Sequence, residues 1–285
     1  MTQPPSPGLG DDDVAVEVQA VQGTAAIGRV TEAGERATSL VGKTVLVGPI
    51  DPCGECDVCR RGGAAVCPSA RRRTEVTSPL VARGRWVVAL GDGLELPVPA
   101  GAAVAGDVVL AYTLYARTGA SPREPLVITG GTAVTRFLVE IAVAKGLAPV
   151  VVVDPAHATW LAHLAAKGIA HVIGTAAAEV RPALEAGFVA QGLGAKPWRV
   201  IATAGSSVEL AAALCGPRAM LTVLAPIAAL PGDLADREVT VITVAGAHPD
   251  LVVEAAAMCV KGEIDLAAGT TASANNDLRA ICEPR

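Results

Sequence analysis

Four cysteines stand within fifteen residues, in the run Cys53-Gly-Glu-Cys56-Asp-Val-Cys59-Arg-Arg-Gly-Gly-Ala-Ala-Val-Cys67. Thiolates are soft anionic ligands, and a folded loop at this spacing can bring four of them to about 2.3 Å from a zinc ion. Four protein ligands fill the tetrahedron and leave no position for water or substrate, so a metal held this way is structural rather than catalytic. Gly54, Gly62 and Gly63 supply the backbone freedom that a tight thiolate cage requires. Ligand type alone also admits an iron–sulfur cluster, and free or disulfide-linked cysteines are the inert alternative. The remaining three, Cys215, Cys259 and Cys282, have no metal spacing and read as buried thiols.

A second constellation is Thr129-Gly130-Gly131-Thr132-Ala133-Val134-Thr135, placed between an apolar run and a helical one. A glycine-bearing turn from strand to helix presents backbone N–H groups to a pyrophosphate. Gly130 matches the first glycine of such a turn, whereas Thr132 and Thr135 occupy the second and third positions. A Cβ at the second crowds the phosphates, and one at the third pushes the helix off the strand, so dinucleotide binding is expected to be weakened. Asp154 follows Gly130 by twenty-four residues, at the end of the next apolar run. It either bonds ribose hydroxyls, which favours NAD over NADP, or caps the helix that follows. The expected coenzyme residues are thus Gly130, Gly131, Thr132 and Asp154. Acid–base groups are scarce. All four histidines, His157, His163, His171 and His248, lie in the second half. His157 and His163 read as surface or packing residues of an alanine-rich helix. Tyr112 and Tyr115 could donate a proton if their pKa values were lowered, and otherwise are core residues.

The elements that must position these groups change character near Glu124. Between Val14 and about Pro99, short β-like stretches (Val14–Val21, Ala26–Thr31, Thr44–Val47 and Arg85–Leu90) are broken by turn residues. Beyond Glu124, apolar strands at Leu126–Thr129, Val150–Asp154, His171–Ile173, Arg199–Ala202, Met220–Leu224 and Val239–Val244 alternate with helices at Val134–Lys145, Thr159–Lys167, Val180–Ala190, Ser207–Leu214 and Leu251–Val260. Such alternation predicts an α/β, doubly wound parallel sheet. The expected organisation is a disordered lead-in over 1–13, a mostly-β domain over 14–123 carrying the lobe 53–67, a coenzyme-type domain over 124–262 and a tail over 263–285.

The chain has 285 residues, 51% of them hydrophobic, with a formal net charge of −5. No basic field is available to hold a nucleic acid backbone, and Arg71, Arg72 and Arg73 read as a solvated loop without function. The N-terminus lacks the apolar core of a secretion signal, and no apolar run reaches the length of a bilayer span. Clustered cysteines suit a reducing compartment, so a soluble, cytoplasmic protein is expected.

The spacing C-x2-C-x2-C-x7-C, set after Gly42-Lys-Thr-Val-Leu-Val47, resembles the structural-zinc lobe of the medium-chain dehydrogenases, the zinc alcohol dehydrogenase superfamily. Val14–Val21, Gly28-Arg-Val-Thr-Glu-Ala-Gly34 and the βαβ half ending in Gly262-Glu-Ile-Asp-Leu266 extend the resemblance to nearly the whole chain. It implies a GroES-like domain with a structural zinc lobe, followed by a Rossmann domain whose cofactor is NAD, with Gly205 and Ser206 on the coenzyme path or simply in a turn. The superfamily's catalytic zinc uses a cysteine, a Gly-His-Glu and a further cysteine or acid. Here Thr24 and Ala25 stand where the histidine and glutamate belong, the cysteine-bearing loop is missing, and Val109-Leu-Ala-Tyr-Thr-Leu-Tyr115 offers no ligand. The chain also stops soon after the Gly262–Leu266 turn, in a short polar tail that includes Ser273-Ala-Asn-Asn-Asp277. The resemblance therefore implies a homologue that keeps the structural zinc but lacks the catalytic one and alcohol dehydrogenase activity, with a non-catalytic or assembly role. The alternative is a zinc-independent NAD(H)-dependent oxidoreductase; a non-redox reaction finds no residue to support it. The family's dimers imply a homodimer paired through Val239–Val244, or a subunit of a larger complex, with an unknown small-molecule substrate.

Overall fold

The computed structural model describes residues 8–91, 93–204, 206–224, 227 and 229–266, and its chain packs as two units. The first comprises the chain up to Val109 together with Ala247–Gly262; the second is built from Leu110–Gly246 and the residues just after Gly262.

In the first unit, apolar residues alternate along β1 (Asp13–Gln22), β2 (Ala25–Ala33), β3 (Thr44–Val47), β6 (Leu80–Arg83) and β7 (Val87–Ala89), which pair antiparallel in the order β6-β1-β2-β3-β7. Between them, β4 (Ile50–Asp51) and β5 (Arg71–Arg72) form a separate antiparallel ribbon at the root of the cysteine lobe, which carries the short helix α1 (Asp57–Arg60). Val14, Val16, Ala26, Val30, Val45, Val47, Leu80 and Val87 meet in one core, as the period-2 pattern demands. The β1–β2 hairpin closes tightly: Gln22 pairs with Ala25 across Gly23 and Thr24, and Gly23 takes the positive φ (60°) that such a loop needs.

Three expectations fail here. The lead-in is ordered from Gly8 onward: Asp11 O accepts from Arg36 N at 2.9 Å, Asp12 O from Gly84 N at 2.6 Å and Asp13 O from Gly34 N at 2.8 Å. Residues 1–7 lie outside the described residues. Arg71–Arg73 is no solvated loop, because each arginine finds a distant partner. Arg71 forks onto Asp13 at 2.9 and 3.2 Å, Arg72 reaches Ala65 O, and Arg73 is paired at 2.7 Å with the buried Asp51. Third, helix continues through α2 (Val98–Ala103), a π-turn (Val104–Val108) and α3 (Val109–Thr118), where no element was expected. Pro99, Gly101 and Gly106 lower the local helix propensity, but tertiary packing overrides it: only a glycine at 101 lets α2 approach Ile27 and Leu46. This stretch of 21 residues is long and apolar enough to cross a membrane by length and composition, yet 61% of its most apolar window is buried inside the protein, as in a core helix.

The second unit is a six-stranded parallel sheet, in agreement with the alternating pattern. Its strands are β8 (Leu126–Thr129), β9 (Val150–Val153), β10 (His171–Ile173), β11 (Arg199–Ala202), β12 (Met220–Leu224) and β13 (Thr240–Val244), ordered β10-β9-β8-β11-β12-β13. The crossovers carry α4 (Ala133–Ala144), α5 (Leu161–Ala166), α6 (Ala177–Ala190), α7 (Val208–Leu214) and α8 (Asp233–Asp236). Strand order reverses between β8 and β11, the switch point where open α/β sheets receive ligands. The helix before β10 is shorter than expected, since Pro155–Trp160 forms a 3-10 turn with His157 at φ −111°. The last helix, α9 (Val252–Val260), was expected with the coenzyme domain but belongs to the first unit, where it packs on the π-turn. The unit division likewise falls after Val109 rather than at Arg123. Of the tail, Glu263–Leu266 is described, with Ile264 buried; 267–285 lies outside the described residues.

Candidate metal centre and dinucleotide turn

The four predicted sulfurs converge. Their Sγ atoms lie within 4.8 Å of one another, the only group of three or more potential ligands among the described residues. Cys53–Cys59 and Cys56–Cys67 are 3.9 Å apart and Cys67–Cys53 is 3.6 Å. A tetrahedron with 2.3 Å metal–sulfur bonds has an edge of about 3.8 Å, whereas a disulfide brings sulfurs to about 2.05 Å and a multi-iron cluster spreads them further. The donor set therefore fits one zinc ion held by Cys53, Cys56, Cys59 and Cys67. Sequence places the ligands by glycine: Gly54 (φ 79°) and Gly62 (φ 78°) turn the chain left-handed, and a Cβ on Gly63 would press on Val58 at 2.8 Å. Backbone N–H groups of Glu55 and Cys56, aimed at Cys53 Sγ from 3.5 and 3.4 Å, hold that thiol down to about 6. Burial pushes Cys59 up to about 12. A divalent cation among the sulfurs favours thiolates at all four positions.

The turn after β8 departs from the expectation in an instructive way. Thr135 does not push α4 away; it is fully buried, and its hydroxyl lies 2.6 Å from that of Thr203. Thr203 Oγ1 donates to Thr129 O at 3.0 Å, so Thr135 donates to Thr203 and accepts from Thr132 N at 3.1 Å. Thr129 Oγ1 in turn donates to Ser206 Oγ at 3.0 Å. Hydroxyls have thus replaced the close glycine packing of helix on strand, at the expense of the Thr132 amide, which a pyrophosphate would otherwise use. Gly130 (φ 139°) remains obligatory, since a Cβ there would strike Thr203 and Thr135. Gly131 is covered by the His157 side chain. Asp154 Oδ1 accepts from Ala156 N at 2.8 Å, the capping geometry. Thr129, Gly130, Asp154, Ser206 and Ser207 line a cavity of ≈ 30 Å³, room for about two waters. Gly205 lies outside the described residues.

Other candidates resolve differently. Tyr112 and Tyr115 pack ring against ring at 5.9 Å, and burial raises the Tyr115 pKa, the wrong direction for an acid. Glu140, buried on α4, is met by His163 at 2.9 Å and Lys167 at 2.6 Å, so His163 is a packing residue hydrogen-bonded to that carboxylate. Cys215 and Cys259 are buried thiols, raised by desolvation to about 11 and 12, as expected; Cys282 lies outside the described residues. Sequence reasoning missed Asp107, two residues before the segment it inspected. Held in the π-turn, this carboxylate accepts from Gln22 Nε2 at 2.9 Å, and burial raises its pKa. A lone acid between Gly106 and Val108 was the available signal.

No family model matches the chain, and no curated protein matches it by sequence. Solved structures do. A protein described as a short chain alcohol dehydrogenase (RspB) from Escherichia coli CFT073, complexed with NADH, superposes with a TM-score of 0.74 at 14% identity, over 94% of this chain and 84% of that one. Galactitol-1-phosphate dehydrogenase from Escherichia coli gives 0.74 at 16% identity, over 93% and 86%. Alcohol dehydrogenase TADH from Thermus sp. ATN1 gives 0.75 at 15%, over 93% and 86%. The antiparallel sheet with its cysteine lobe and the parallel six-stranded sheet are the fold of the medium-chain dehydrogenases, GroES-like followed by Rossmann-like.

Proposed function

We propose that this chain is a medium-chain dehydrogenase homologue that keeps a structural zinc at Cys53, Cys56, Cys59 and Cys67 but has no catalytic zinc, and that it serves a non-catalytic or assembly role in the cytoplasm, as a homodimer or a subunit of a larger complex. The carrying observation is the β1–β2 hairpin. Its two-residue turn at Gly23 and Thr24 leaves no room for the cysteine-bearing loop, Thr24 and Ala25 take the places of the histidine and glutamate, and the nearby Asp107 carboxylate has Gln22 for its partner. Consumption of the Thr132 amide by Thr135 supports weak coenzyme binding. Purified protein tested with NAD(P) and a panel of simple alcohols should show no zinc-dependent oxidation; turnover at ordinary enzyme rates, about 1 per second or more, would overturn the reading.

A second reading is a zinc-independent NAD(H) oxidoreductase. Gly130 at the head of α4 and Asp154 at the end of β9 favour it, both bordering one cavity. Protection against heat or proteolysis by millimolar NAD(H) would support it, and no protection would count against it.

A further inference from the structure

The cysteine lobe is tied into the first unit at both ends and in its middle. At one end Pro52 O accepts from Trp86 Nε1 at 2.8 Å and from the Arg83 guanidinium; towards the other, Ala65 O accepts from Arg72 at 3.4 Å. The middle tie comes from 186 residues away: His248 Nε2 donates to Gly62 O at 2.7 Å. A carbonyl only accepts, so this nitrogen carries the hydrogen. The His248 side chain is 16% exposed, although the carbonyl it meets belongs to an exposed residue. Gly62 stands between Cys59 and Cys67, with its own N–H bonded to Cys59 O at 3.0 Å and its φ of 78°. Movement of this carbonyl therefore moves the ligand loop. On the other side, His248 opens the segment that continues as Pro249–Leu251 and α9, with Val252, Ala255, Ala256, Met258 and Cys259 buried, and α9 packs on the π-turn that holds Asp107.

We propose that His248 is a latch: a positioning residue that holds the cysteine loop closed around its metal, and through which metal occupancy holds the segment Ala247–Val260 in place. The proposal rests on the reading of the four cysteines as a zinc set. Its two directions are one coupling, because a contact that strengthens metal binding is strengthened by the metal to the same degree.

The test uses the zinc-loaded full chain as wild type, His248→Ala and His248→Gln, with zinc transfer to the chromogenic chelator 4-(2-pyridylazo)resorcinol followed at fixed pH. His248→Ala should release zinc about fivefold to tenfold faster, and His248→Gln, whose amide N–H can reach the same carbonyl, should release it at close to the wild-type rate. Alongside, hydrogen exchange of Val252–Val260 in the wild type should quicken once zinc is chelated, while β8–β13 stay unchanged. If His248→Ala does not fold, that exchange comparison decides. Zinc bound one per chain, with unaltered release from His248→Ala and unaltered exchange, overturns the latch alone. A chain that takes up no zinc overturns the metal reading and the latch together.

Discussion

Asp51 is 1% exposed, and its carboxylate is held by Arg73 at 2.7 Å and by Arg83 N at 3.2 Å. Removing one partner of a buried pair leaves an uncompensated charge, so Arg73→Ala should cost about 3–5 kcal/mol, read from denaturant unfolding. The cysteine loop grows from this ribbon, and the same variant should bind zinc less well. Asp107 gives the opposite sign. Burial raises its folded pKa above the ordinary carboxyl value, so the folded state binds the proton more tightly than the unfolded one. Stability is then lost as pH rises through that window. Asp107→Asn keeps an acceptor for Gln22 and removes the charge; it should melt higher than wild type at pH 7, with the gap closing as pH falls toward about 4. A gap that persists at low pH would mean that charge is not the cause. Neither residue was legible in advance. The value of Arg73 depends on a carboxylate 22 residues away, and Asp107 depends on the end of a hairpin; one-residue signals carry no information about such partners. The four cysteines were legible because their spacing is itself the geometry.

The turn from β8 into α4 shows how an element can keep its place with the wrong residues. Thr135 and Thr203 share a buried hydrogen bond of 2.6 Å, so Thr203→Val should strand the Thr135 hydroxyl and cost about 1–3 kcal/mol, measurable as a lower midpoint of thermal unfolding. Parallel strands were read from the sequence to within a residue or so at each end, since a strand buried on both faces is a short continuous apolar run such as Leu126–Thr129 or Val150–Val153. The helical stretch from Val98 was not, because Gly101 meets a packing demand made by Ile27 and Leu46, and Gly106 one made by Ala25 and Gln22, rather than local preference. The contact of His248 was not legible for a related reason: it lies in the second half of the chain, yet returns with α9 to the first unit and touches the cysteine lobe.

At the scale of the whole molecule, β13 closes one edge of the parallel sheet with exposed and half-buried residues from Thr240 to Thr243 and a buried Val244. If two copies pair there, sedimentation should give a dimer for the wild type and a monomer for Ile242→Lys, since a charge on an edge strand opposes pairing. The central claim is a medium-chain dehydrogenase fold with one metal and no catalytic counterpart. Metal content measured by mass spectrometry on the purified chain after zinc saturation tests it most directly, with NAD titrated into the same sample. One zinc per chain, lost when Cys53 or Cys67 is replaced by serine, is the predicted result. Two zincs per chain, the second surviving those replacements, would contradict it.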